Sequence, residues 1–231
     1  MKQIFIFLTL TILFNCSGQK SNDIKIIDER ISEQEFRKKE IELKSKTSRI
    51  FYEDELYLVS KECYGEWGGL IIFENKKSKK KFSSISTCPI SVIKKDDKYI
   101  ITNTLAHGSG FSDILEIENP EMMEKYSKKF NKNSSQRGTR KIIDTIGVLT
   151  LATFINNGEF NFITTDFKKT YISKIENSKF VNILELSQNG IWSYDPELID
   201  FNNHKYLFLI NNQNKGYFDI FKNEIKIYYV K

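Results

Sequence analysis

The stretch Phe201-Asn202-Asn203-His204-Lys205-Tyr206-Leu207-Phe208-Leu209, followed by Phe218-Asp219-Ile220-Phe221-Lys222-Asn223, decides the fold. An apolar residue precedes a two-residue Asn-Asn turn. An aromatic and an apolar run follow, then a variable loop, a second apolar run and an Asn. Asn tolerates positive φ, so Asn-Asn between apolar runs reads as a tight hairpin turn.

The same pattern occurs three more times. Phe51 to Val59 precedes Leu70 to Asn75, Ile93 to Ile101 precedes Ile114 to Asn119, and Phe154 to Phe162 precedes Ile172 to Asn177. The second and third copies have the turns Asp96-Asp97 and Asn156-Asn157-Gly158. A further apolar run follows each copy: 82–86, 142–151, 180–186 and 225–230. Each unit therefore carries about four strands, the pattern of an antiparallel meander. Residues 48–231 divide into about 46 per copy, within the range of repeated four-stranded blades. The fold class is all-β, a repeat of four-stranded antiparallel units. It points to a small β-propeller, with a two-layer β-sandwich as the alternative. In a closed ring, the strand 225–230 would complete the first unit near residues 49–53. The charged stretch 121–141 reads as an inserted helix or loop.

Upstream, residues 16–47 are polar and charged. Ser32 with Glu35 three positions later is a capping box. It predicts a short helix over 33–45 whose thin apolar stripe is Phe36, Ile41 and Leu43. The remainder reads as a flexible tether. The β-repeat domain then spans 48–231.

The chain opens Met1-Lys2-Gln3 and is apolar from Ile4 to Phe14. A basic start and a short apolar run form a secretory signal over residues 1–15. Eleven residues are too few to span a bilayer, which takes about 20. Leu13-Phe14-Asn15-Cys16 resembles the lipobox of bacterial lipoproteins. Phe14 and Asn15 stand where that family prefers small residues. The resemblance covers this segment alone. It implies that Cys16 becomes the first mature residue and carries the lipid, palmitate included. Ser17, rather than Asp, after the Cys favours the outer membrane. The expected location is the cell envelope, with the membrane as a partner through the anchor. A conventional signal cut, or an uncleaved short anchor, is the alternative.

Composition narrows the function classes. The chain has 231 residues, 40% apolar, enough for a sizeable core. Its 35 basic and 30 acidic residues leave a charge of +5, too mild to indicate a nucleic-acid partner. Without Cys16, Cys63 and Cys88 remain as an even pair in an oxidising compartment. A disulfide is expected, with two buried thiols as the alternative. Neither has a second Cys or His at zinc-site spacing, so no metal or other cofactor is expected.

The variable loops at 61–69, 103–112, 166–170 and 211–215 should lie at one end of the domain. Loops on a rigid scaffold concentrate binding residues. The first two combine aromatics, glycines and polar groups, so Tyr64, Trp67, His107, Ser109 and Phe111 form a candidate binding face. A Cys63–Cys88 bridge would pin the first loop. The expected function is a lipid-anchored module that binds a protein or glycan through this face. The alternative is an envelope hydrolase near His107, with Ser109 or the carboxylates Glu62, Glu66 and Asp113. His-Gly-Ser-Gly is not the Gly-x-Ser-x-Gly elbow, and no catalytic residue is assigned. A purely structural lipoprotein is a third reading. The lysine run 76–81, five Lys in six positions, reads as a solvated turn, or else as a contact for anionic lipid or polysaccharide.

Overall fold

The computed structural model describes residues 24–46, 50–127, 136–194, 196–210 and 215–231. The signal segment, Cys16 and most of the loop 211–215 lie outside them.

The described chain opens with strand β1 (Lys25–Ile31) and helix α1 (Glu33–Lys46). The first sheet follows: β2 (Tyr52–Glu53), β3 (Tyr57–Cys63), β4 (Gly69–Asn75) and β5 (Lys81–Ile85). Next come β6 (Pro89–Lys95), β7 (Lys98–Leu105) and β8 (Phe111–Ile117). The short β9 (Glu124–Lys125) returns to pair with β5, and β10 (Arg140–Ile146) completes the second sheet. The third sheet is β11 (Leu149–Asn156), β12 (Glu159–Thr165), β13 (Thr170–Glu176) and β14 (Lys179–Ser187). The fourth is β15 (Glu197–Phe201), β16 (His204–Ile210), β17 (Lys215–Phe221) and β18 (Glu224–Val230). Each repeat thus builds one antiparallel four-stranded meander, and two sheets gain a fifth strand.

The turns explain why. Asp96-Asp97, Asn157-Gly158, Asn177-Ser178 and Asn202-Asn203 all have positive φ at both positions. That is the backbone of a type I′ turn, whose twist matches the strands it joins.

Sheets adjacent in sequence pack face to face. Tyr57, Val59, Ile71 and Phe73 of the first sheet bury against Tyr99, Ile101, Leu115 and Ile117 of the second. Ile100, Ile114 and Ile143 of the second meet Phe162 of the third. The largest core joins the third sheet's Leu151, Phe154, Ile163 and Ile172 to the fourth's Leu207, Phe218, Ile220 and Ile225. The other face of the fourth sheet is covered by α1, through Phe36 and Leu43 on Tyr206, Phe208 and Tyr217. Between the fourth and first sheets lies a cleft of about 550 Å³, walled by β15 on one side and by Phe51 and β3 on the other.

Four expectations are corrected. The strand 225–230 does not pair with residues 50–53, the described part of the expected partner segment 49–53. Within β18 it pairs antiparallel with β17 and parallel with β1, Ile26 opposite Ile225. Residues 25–31, read as tether, are that β1 strand. The expected run 142–151 is two strands, because Gly147 adopts φ 84° and reverses the chain between β10 and β11. Pro89 opens β6, a position where its missing N–H costs no ladder bond. In the expected insertion 121–141, the described parts are a 3₁₀ turn at Pro120–Met122, β9, a turn and the start of β10, with 128–135 outside the described residues.

Helix α1 does form where the capping box places it. Ser32 Oγ accepts from the Glu35 N–H at 3.2 Å, and Glu35 Oε2 accepts from the Ser32 N–H at 2.7 Å. Ile41, expected in the apolar stripe, is exposed.

Candidate functional site

Cys63 closes β3 and Cys88 sits in the crossover from β5 to β6. They form a disulfide with Cα atoms 4.6 Å apart. The bridge ties the first variable loop to the edge of the second sheet. Gly69 permits the close approach: a Cβ there would lie 2.2 Å from the Glu62 carbonyl oxygen and 2.8 Å from that of Ser86.

Beyond Cys63, Gly65–Trp67 form one 3₁₀ turn, closed by the Tyr64 N–H donating to Gly68 O at 2.8 Å. Gly65 and Gly68 supply the positive φ the turn requires. The turn holds Trp67 outward, 67% exposed, and Tyr64 beside it is exposed too. Tyr64 Oη donates to Glu62 Oε2 at 2.7 Å, and Tyr126 Oη to Glu62 Oε1 at 3.0 Å. These bonds to a carboxylate raise both phenol pKa values, since losing the proton would set two anions side by side.

The second loop, Ala106–Gly110, meets the first. His107 Nδ1 stands 3.3 Å from Glu66 Oε2, with the two side chains 66% and 50% exposed. Gly110 N–H donates to His107 O at 3.0 Å and closes the loop. Ser109 is exposed, and Phe111 is half-buried at the start of β8. Among the described residues no hydrogen bond joins Ser109 to His107.

The third loop joins on the other side. Gly110 lies so near the Phe167 ring that a Cβ would come within 2.6 Å of it. Phe167 packs edge-on against Trp192 at 5.9 Å, and Trp192 against Tyr194 at 4.9 Å. Tyr194 is 73% exposed. This aromatic row runs through the connection from β14 to β15. That connection folds back because Ile191 N–H donates to Thr170 Oγ1 at 2.8 Å, which itself donates to Asn189 O at 3.1 Å. Gly190 has no room for a side chain against the Phe167 backbone. Sequence reasoning passed over Trp192 and Tyr194. The available signal was two aromatics in Ile191-Trp192-Ser193-Tyr194, a segment between repeats.

The three carboxylates near this end serve different partners. Glu62 accepts from two tyrosines and Glu66 faces His107. Asp113 is buried beneath the loops. Its Oδ1 accepts from Asn103 Nδ2, whose own Oδ1 accepts from Ser86 Oγ at 2.6 Å. Lys141 Nζ lies 3.5 Å from Asp113 Oδ2 and 2.9 Å from Asp144 Oδ2. Burial raises the Asp113 pKa, against the opposing pull of Asn103 and Lys141. Its role is to brace the strands below the loops.

Among the described residues no three His, Cys, Asp or Glu side chains cluster as metal ligands, and no helix is long and apolar enough to cross a membrane. The sequence-predicted residues Tyr64, Trp67, His107, Ser109 and Phe111 therefore share one end of the domain, along with the disulfide. Residues 211–214 of the fourth loop lie outside the described residues. No protein-family model matches this chain, and no curated protein matches it.

Proposed function

We propose that the chain is a lipid-anchored binding module of the cell envelope, its four sheets arranged as a small propeller-like ring. It binds a protein or glycan through the loop end. The observation that carries this reading is the joining of three loops from three sheets, by Glu66 with His107 and by Gly110 with Phe167, around exposed Trp67 and Tyr194. Tyr and Trp offer large apolar area with a polar tip at low entropic cost, which suits them to recognition. The disulfide and the buried Asp113 network hold that surface in one shape before a partner arrives, which lowers the cost of binding.

The route of the chain supports the orientation. Lys25 N–H donates to Asn223 O in the β17–β18 turn, at the opposite end from the variable loops. Cys16 is nine residues earlier in sequence. A lipid on Cys16 would set the hairpin turns toward the bilayer and the loops away from it.

The test is residue-specific photo-crosslinking in intact cells. A photoreactive residue at 67 or 194 should give one shared, saturable adduct with an envelope component. The exposed position 183 on β14 should not give it. The same adducts from all three positions, or none from 67 and 194, would overturn the reading. Labelled palmitate should enter the native chain and not Cys16→Ser.

A further inference from the structure

A second cavity lies at the hairpin end, remote from the loops. Its volume is about 360 Å³, within the range of small-molecule sites. The first strand of every meander reaches it: Tyr52 from β2, Lys94 from β6, Phe154 from β11 and Asp200 from β15. It sits where all four meanders turn, so its walls are fixed by four independent sheets.

The chemistry of the walls is divided. Phe154 packs its apolar side chain in the core between the third and fourth sheets, and Ile155 stands exposed at the rim. Three lysines, Lys94, Lys205 and Lys222, also line the cavity. Lys94 Nζ lies 3.3 Å from Asp54 Oδ2, and Lys205 Nζ lies 2.6 Å from Asp200 Oδ1. Among the described residues Lys222 has no carboxylate within ion-pair distance; its ammonium lies 5.1 Å from the centre of the Phe221 ring. Asp219, the other nearby acid, pairs with His204 at 2.5 Å on the opposite face of the fourth sheet, since alternate residues of β17 point to opposite sides. Three ammoniums against two carboxylates leave one positive charge at the mouth of a partly apolar cavity.

We infer that this cavity is a binding site for a small organic monoanion, a carboxylate on a compact apolar body of about the size of benzoate. The apolar body would lie against the exposed Ile155, and the carboxylate would meet Lys222 and Lys205. A concave, partly desolvated wall strengthens such charge-assisted contacts relative to open water. The site is independent of the loop end, and neither reading needs the other.

The experiment is a titration of the full chain, labelled at isoleucine methyl groups, with benzoate, its neutral isostere benzamide, and inorganic phosphate. Benzoate should shift the Ile155 and Ile93 methyl signals saturably in the millimolar range. Benzamide and phosphate should each bind at least about fivefold more weakly, one lacking charge and the other the apolar body. Lys222→Glu, on an exposed turn, should abolish the benzoate shift, and Lys222→Gln should weaken it. Trp67→Ala with Tyr194→Ala should leave it unchanged. No saturable shift with benzoate, equal binding of benzamide or phosphate, or full retention in Lys222→Glu would overturn the inference.

Discussion

Glu66 Oε2 lies 3.3 Å from His107 Nδ1, across two loops whose parent strands belong to different sheets. The contact aligns the two loops of the candidate face, yet both side chains are largely in water. Exposed ion pairs contribute about 0–1 kcal/mol and are screened by salt. A double-mutant cycle with Glu66→Gln and His107→Ala should therefore give a coupling below about 1 kcal/mol that shrinks in high salt. A larger, salt-insensitive coupling would mean that the pair is structural rather than a surface alignment.

The covalent link beside it should matter far more. The Cys63–Cys88 bridge closes a loop of 25 positions. Closing a loop of that length removes about 3.5 kcal/mol of unfolded-chain freedom. Cys63→Ser with Cys88→Ser should lower the urea midpoint by a corresponding amount. Reductant should lower the midpoint of the native chain toward that of the variant and leave the variant unmoved.

Asp113 gives a pH signature. Burial raises its pKa in the folded state above the usual unfolded value of about 3.9. Between the two values the folded state holds a proton that the unfolded state has released. Stability from this group therefore falls as pH rises through that window, and its penalty is fully present above the folded value. Asp113→Asn cannot titrate. The stability of the native chain minus that of the variant should decline as pH rises from about 4 and level off above the raised value. Carboxylates with lowered pKa, Glu118 and Glu159 among them, act with the opposite slope in both chains and cancel in the difference. A flat difference would show that Lys141 and Asn103 fully offset burial.

The four meanders were legible because their turns are local. Asp96-Asp97 and Asn202-Asn203 announce positive φ through residue type alone, and the flanking apolar runs set the register. Strand β1 was not legible for the opposite reason. Lys25–Ile31 is half charged, sits at a sheet edge, and finds its partner in β18 at the other end of the chain. No local pattern encodes a parallel pairing at that separation. The candidate face was partly legible. Tyr64 and Trp67 stood out beside glycines, and His107 lay in a loop that the repeat placed at the same end. Trp192 and Tyr194 acquire their place only through Phe167, a contact between segments that sequence keeps apart. The Asp113 network depends on strand register, which brings Asn103 opposite Asp113 in β7 and β8.

Helix α1 supplies the last prediction. Its apolar stripe is so thin that docking rests on two side chains, Phe36 and Leu43, both fully buried. Phe36 meets the Phe208 ring edge-on at 5.8 Å and lies 6.3 Å from Tyr217. Lys215 anchors the helix start by pairing with Glu33 and lies over the Phe36 ring at 4.9 Å. Phe36→Ala should cost about 3–5 kcal/mol, through lost burial and the cavity left behind. Ser32→Ala, which removes the cap and leaves the packing intact, should cost about 1 kcal/mol. Hydrogen exchange separates the two effects. In Phe36→Ala, protection should fall across α1 and in the fourth sheet beneath it, where Tyr206 and Tyr217 become wet. In Ser32→Ala it should fall only in the first turn. If Phe36→Ala frees the helix amides and leaves the fourth sheet fully protected, α1 is an appendage on the sheet rather than part of its core.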